Sequence, residues 1–475
     1  MIGKTLSGML QASFFIVVNL EPLTQSYDTV ATEAVERLDE VLPPIKVQIP
    51  KDKNDVPVAT VGEKRVRRDL YELLKQHANT DEKIGRLWSE VNTIPDWVDW
   101  DQIERGQKVL YRYGIPVIIS LTFLSLLGGM GSSRTVEVLD RTGGFSADVV
   151  LRRLLETTQH TLNVTRDLTS IQPGGNGFVD SVRVRLLHAT VRRRMMQMAA
   201  SQPGYYDIKA SGIPINDLDC IGTINAFCSF VLWLGLPRQG IYPRQQEIED
   251  HIALWRYVAY LMGTPHSWFS TPAKAKQMME SILVSEIHPS KASGNLANNI
   301  IIGLHGRPPA YASREFMCAQ TYWLNGRALS SALSIDRPHP WYFLLVFGQC
   351  ILLAFLSYVN RSTGYLDRQN IKLVRKALYQ ILLEDKSKGA LGYTSKFTMK
   401  YIPSFAKTLM DRGTSVGHGT QNGMGKAERT AMITLFVTLT LVSAFAWYFM
   451  KAVRWLAFNR SAEDAERNIW KDETR

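Results

Sequence analysis

The sequence predicts a mainly α-helical protein that carries a C-terminal membrane helix, and three observations point there. Apolar residues recur at helical spacing on both sides of a glycine-rich loop between Leu151 and Met195. Val61 to Ile94 and Glu247 to Gly263 mix charged and apolar residues as amphipathic helices do. Two later runs, Trp341 to Val359 and Ala431 to Met450, hold no charged residue for 19 and 20 positions.

The bulk composition agrees. Hydrophobic residues make up 45% of the 475 positions and charged ones 21%, values of a globular chain rather than a disordered one. That length holds two or three average domains, or one large helical domain with appendages. The net charge of +11 is uneven, with 13 Lys or Arg against 5 Asp or Glu between Arg361 and Thr430. No zinc-finger spacing or aromatic RNA-binding signature accompanies this basic segment, which argues against nucleic acid as the partner. Its place between two apolar runs favours lipid headgroups. Cys220, Cys228, Cys318 and Cys350 form no CxxC pair and read as buried free thiols.

In chain order, Met9 to Leu20 is apolar but shorter and more polar than a membrane span, so an ordinary helix is preferred to a signal anchor. Pro43-Pro44 marks a loop in the mixed stretch Glu21 to Asp55. Ile115 to Gly131 is uncharged, yet Pro116 and Gly128-Gly129 break its ends and it runs straight into Arg134 to Glu137, so a buried core helix is expected. Pro173 to Gly177 reads as turn chemistry, since no Gly-Lys-Ser/Thr follows to make it a phosphate cradle. Of the two late apolar runs, the first is read as transmembrane or buried. The second, flanked by Lys426, Arg429, Lys451 and Arg454 with Trp447 and Tyr448 at one end, is read as a membrane span.

The chemistry centres on the helix carrying His188. Turning it by about 100° per residue places Val184, Val191 and Met195 within roughly 60° of His188 on one side, and Arg185 and Arg192 within roughly 60° on the other. This seam between an apolar stripe and two guanidinium groups matches haem, an apolar ring with two carboxylates at one edge. A hydrogen-bonded boundary histidine beside surface salt bridges fits the same spacing. Arg153 and Thr157 share a face of the preceding helix at i, i+4 and offer a cation and a hydroxyl for the open side of an iron. His160, seven residues after Arg153, is the rival ligand, while His251 and His339 read as structural and membrane-border residues. No HxxxH, HExxH or repeated Glu-x-x-His appears, so di-iron and zinc-hydrolase readings lack ligands. Neither a cytochrome P450 cysteine motif nor a Rossmann or Walker fingerprint is present.

The stretch Arg153-Leu154-Leu155-Glu156-Thr157 and the run Val184-Arg185-Leu186-Leu187-His188-Ala189-Thr190-Val191-Arg192 resemble the family that joins rubber oxygenases (latex clearing proteins) with fungal endoplasmic-reticulum-bound oxygenases. The likeness runs from about Pro95 through Ile213 to Pro237 and on to Gly263. It implies a globin-like helical core, a haem b cofactor on His188, and Arg153 and Thr157 on the oxygen side. It also implies an acid/base carboxylate at Glu137 and an endoplasmic-reticulum membrane location. Where rubber oxygenases have a lysine that ligates iron in one state, this chain has Glu156, so that switching is not expected here. Arg185 and Arg192 are candidate propionate partners on the helix geometry alone.

The expected organisation is an N-terminal helical extension (1–94), a haem-binding oxygenase domain (95–340), the transmembrane or buried helix 341–359, a basic helical connection (360–430), a transmembrane helix (431–450) and a polar tail (451–475). The expected activity is oxidative cleavage of a carbon–carbon double bond in an isoprenoid-type substrate by dioxygen. Haem monooxygenation of a secondary metabolite is the second reading. A non-catalytic lipid- or partner-binding membrane protein is the third. The expected partners are an apolar small-molecule substrate, dioxygen and membrane lipid; no nucleic acid is expected and no partner protein is identified.

Overall fold

The computed structural model describes residues 18–43, 46–48, 63–65, 68–386, 390–392, 397 and 425–473. Met9 to residue 17, Pro44, and most of the basic connection after residue 386 lie outside the described residues. The architecture is helical, as the periodicity implied. Strand content among the described residues is one antiparallel pair, β1 (Lys46–Gln48) with β2 (Glu63–Arg65), in register Lys46 to Arg65.

Three helices form the N-terminal extension: α1 (Thr29–Val41), α2 (Leu70–His77) and α3 (Glu82–Asn92). Each begins at an aspartate, Asp28, Asp69 and Asp81, whose carboxylate accepts from first-turn amides. Their apolar faces, including Ala31, Leu38, Leu74, Ile84 and Leu87, bury into the same core as Val184, Leu186 and Trp255. The extension is therefore packed with the central segment rather than appended to it.

The central segment starts with α4 (Trp100–Ile119), which kinks at Gly114 and continues in a wider π-type turn from Ser120 to Gly128. Much of this apolar stretch is buried, as a core helix requires. α5 (Ser133–Thr142) leads to the antiparallel pair α6 (Val150–Thr165) and α7 (Asn176–Ser201). The turn between them uses Gly174 at φ +86, a backbone that favours glycine. This is turn chemistry, as the sequence indicated. α8 (Asp217–Phe227), α9 (Gln245–Leu261), α10 (Pro272–Ser285), α11 (Lys291–Leu304) and α12 (Arg314–Ala332) complete the core. α9 packs along α4, and its Glu247 accepts from the Tyr113 hydroxyl at 2.6 Å.

α13 (Pro340–Asn360) packs against α12 and against α15 (Lys426–Glu473), with α14 (Gly364–Leu378) lying along α4. Trp100–Gly128 and Pro340–Asn360 are each long and apolar enough to cross a bilayer by length and composition. The first has 61% of its apolar window buried and the second only 28%. α13 leaves Leu344, Phe347, Phe355 and Leu356 exposed, and α15 leaves Ile433, Phe436, Leu439 and Leu441 exposed. Such apolar surface is costly in water and favourable in lipid.

Candidate active site

The site is built on the α6–α7 pair and the cavity beside it. An apolar cavity of about 660 Å³ opens among α4, α6, α8, α10 and α12, walled by residues such as Ile118, Leu154, Phe230, Ile287 and Phe316. A space of this size suits a drug-sized apolar ligand. Arg153 and Thr157 line it. The Thr157 hydroxyl donates to the Arg153 carbonyl at 3.0 Å, which leaves its lone pairs free to accept. Glu156 points to another face, where it is buried with its carboxylate 3.4 Å from Arg152 Nε.

His188 does not line that cavity, yet its environment is unusual. It is surrounded by packed helices and is half-buried by accessible surface. Its Nδ1 is buried with no hydrogen-bond partner among the described residues. Burial, reinforced by the charges of Arg192 and Arg153, pushes the imidazole down to about 4. At neutral pH the ring is a neutral donor atom set near Arg153.

His160 is also held neutral by burial, but its ring is engaged in a hydrogen bond. It is buried with Nε2 3.0 Å from Ser181 Oγ, and that hydroxyl donates onward to the Gly177 carbonyl at 2.7 Å. The ring packs against Phe397 at 5.8 Å between centroids, and burial holds it neutral at about 4. His160 is a satisfied core residue rather than the rival ligand that the sequence suggested. His251 is buried with Nε2 3.3 Å from the Phe227 carbonyl, and its Nδ1, like that of His188, has no partner among the described residues.

Arg185 and Arg192, adjacent to His188 on the helix, are engaged with the N-terminal extension. Arg185 is bidentate to Asp28 at 2.7 and 3.0 Å and reaches Glu90 at 2.8 Å. Only its Nη1 is left buried without a partner. Burial alone would lower the Arg185 pKa, but those two carboxylates hold it above its ordinary value. Arg192 donates to the Ile215 and Asp28 carbonyls and to Thr32 Oγ1, with its guanidinium 5.0 Å over the Tyr27 ring.

Glu137 sits outside the cavity wall. Its carboxylate pairs with Arg141 one turn on, and its side chain is 37% exposed. The carboxyl groups that do line the cavity are Asp219 and Glu286. Burial pushes Asp219 up to about 6, partly offset by the Thr135 hydroxyl that donates to Oδ1 at 2.7 Å. Burial also raises Glu286, against the pull of Arg134, whose Nε lies 3.5 Å away. Sequence reasoning missed both. The available signal was the position of Asp219 in the first turn of α8, inside the stretch that carried the resemblance.

Residues 112–349 match the family described as the ER-bound oxygenase mpaB/B'/Rubber oxygenase, catalytic domain. The chain belongs to this family. It thus carries an oxygenase catalytic domain over half its length. The rubber oxygenase of Streptomyces sp. (strain K30) is 22% identical over 307 residues, covering 60% of this chain and 70% of that protein. Aurantioclavine synthase cnsA of Penicillium expansum is 37% identical over 49 residues, a tenth of each chain. Among solved structures, latex clearing protein LCP in the closed state shares the fold, with a TM-score of 0.55 at 17% identity. That superposition covers 74% of this chain and 91% of LCP. The family segment contains Arg153, Thr157, His188, Asp219 and Glu286, but not Asp28 or Glu90.

Proposed function

We propose that this protein is a membrane-bound, haem b-dependent oxygenase that cleaves a carbon–carbon double bond in an apolar, isoprenoid-type substrate. The observation that carries the reading is His188: neutral, set beside the charges of Arg192 and Arg153, and with a buried Nδ1 that has no hydrogen-bond partner among the described residues. A neutral imidazole whose ring nitrogens are not committed to an internal hydrogen bond among the described residues is available as an axial ligand. The residues fit the group.

Bound haem would supply the iron at which dioxygen is activated. His188 would hold it, and Arg185 Nη1 is the atom of the two flanking arginines best able to serve a propionate. Arg192, proposed for the same task from the helix geometry, has most of its donors committed elsewhere. Arg153 places a cation on the cavity wall, where it stabilises negative charge that develops on oxygen in an apolar surrounding. Thr157 offers lone pairs to a proton donor beside it. An acid/base role needs a carboxyl near substrate. Glu137 would have to leave Arg141 to take it, whereas Asp219 is already on the wall. The apolar faces of α13 and α15 support a membrane location, from which an isoprenoid would reach the cavity without crossing water. The family description points to the endoplasmic reticulum as that membrane.

The test is an absorption spectrum of detergent-purified protein beside His188→Ala and His160→Ala. A Soret band lost in His188→Ala and kept in His160→Ala is the expected result. A band lost only in His160→Ala, or none in protein made with ample haem, refutes the reading. Oxygen-18 labelling then separates cleavage, with label in both carbonyl ends, from insertion of one oxygen atom.

A further inference from the structure

The two arginines beside His188 share one partner. Arg185 lies three residues before His188 and Arg192 four residues after, so both fall within about 60° of it on the same side of α7. Asp28 reaches both: its carboxylate is bidentate to Arg185, and its main-chain carbonyl accepts from Arg192 Nη1 at 3.3 Å. Side-chain exposure is 2% for Arg185 and 9% for Asp28, so the pair is screened from water and held firmly. Thr32 and Tyr27, on either side of Asp28, add a 2.9 Å hydrogen bond and a ring face to Arg192.

The surroundings leave this cluster no room to slide. Gly263, at φ +67, packs so closely that a Cβ there would lie 2.4 Å from Asp28 Oδ2 and 2.5 Å from Arg185 Nε. The same N-terminal stretch is tied down again by the amides of Ile213 and Asp217, which donate to the Thr24 and Ser26 carbonyls.

We infer that Asp28 is a positioning residue for His188: by gripping α7 one turn before and one turn after that histidine, it fixes the rotation of the helix and hence the direction of the imidazole. The inference rests on the reading that His188 holds haem. It assigns a task toward the cofactor to a residue outside the family segment. Coordination strength depends on the imidazole approaching the iron along a fixed line, so loosening this grip weakens the bond without removing the ligand.

Asp28→Asn tests the assignment cleanly. Asparagine caps a helix as well as aspartate does, so the bond from the Ala31 amide to Oδ1 is retained while the bidentate charge pair is lost. The assay is haem transfer from the full-length holoprotein to excess apomyoglobin, read with the ferric spin-state bands and the melting of the apoprotein. The expected result is haem loss at least tenfold faster with altered spin-state bands. Glu90→Gln, which removes the second carboxylate of Arg185 but touches nothing on Arg192, should change the rate less than threefold. A wild-type rate and spectrum in a folded Asp28→Asn protein overturn the inference, whatever its melting temperature. If that variant does not fold, Thr32→Val takes its place by removing the 2.9 Å bond to Arg192. A several-fold faster loss supports the grip and an unchanged rate overturns it. Absence of a Soret band in the wild type overturns the haem reading itself and the inference with it.

Discussion

His160 and His188 predict opposite costs of removal. His160 is 6% exposed and bonded to Ser181, so His160→Ala deletes a satisfied side chain. The lost hydrogen bond is worth about 1 kcal/mol and the cavity left behind roughly 2 kcal/mol more, for a total near 3 kcal/mol. His188→Ala deletes similar volume but also removes a buried nitrogen that has no partner. Relief of that penalty, about 1–3 kcal/mol, should cancel most of the packing loss in the apoprotein. The assay is urea unfolding of apoprotein in detergent, followed by circular dichroism at pH 7. A further check uses pH. Burial holds His160 at about 4, below its unfolded value near 6.5, so the neutral ring's contribution is lost as pH falls from 6.5 through 4. Alanine has no such loss, and the gap between His160→Ala and wild type should close over that window. Equal destabilisation by the two substitutions, or a gap that stays constant with pH, refutes the reasoning. In holoprotein the order should reverse, because His188→Ala also forfeits the stabilisation that bound haem confers.

Three further outcomes follow from the same geometry. Asp219 titrates near 6 in the folded chain against about 3.8 unfolded, so ionising it is unfavourable and stability should fall as pH rises between those values. The carboxyl is faced by Thr135, Arg134, Glu286, Arg192, Tyr206 and its neighbours Asp217 and Cys220. Asp219→Asn should therefore stabilise more at pH 7.5 than at pH 5, by roughly 1.5 kcal/mol, in melting curves at the two pH values. Glu247 is buried and accepts from Tyr113 and the Arg244 amide, with Arg112 3.2 Å away. Glu247→Gln should cost about 3 kcal/mol in urea unfolding, since it leaves buried guanidinium charge short of a counterion. Gly263→Ala combines a positive φ with a clash against the Asp28–Arg185 pair, and should cost more than about 2 kcal/mol by the same measurement.

What the sequence made legible was local. The periodicity around Pro173–Gly177 placed two helices where α6 and α7 stand, and the apolar pattern of Glu247 to Gly263 fell on α9. The two arginines were located beside His188 because a helical wheel needs only neighbouring residues. Their partners were not legible. Asp28 is 157 positions from Arg185 and Glu90 is 95, and spacing along one helix carries no information across such distances. The wheel shows that a guanidinium flanks the histidine, not that burial obliges it to find a carboxylate elsewhere. Asp219 was hidden for a related reason: at the start of a helix an aspartate reads as a capping residue. Only the packing of α5 and α10 against it turns that face into a cavity wall.

The shared core of α1–α3 with the central segment has a practical meaning for anyone cutting this chain. A fragment beginning at residue 95 would keep the entire matched family segment, yet it would lay bare the surface that Leu38, Leu74 and Leu87 cover and leave Arg185 without either counterion. The evolutionary unit recognisable by likeness is thus smaller than the unit able to stand alone. Swapping catalytic segments between relatives should succeed only when the preceding helices travel with them.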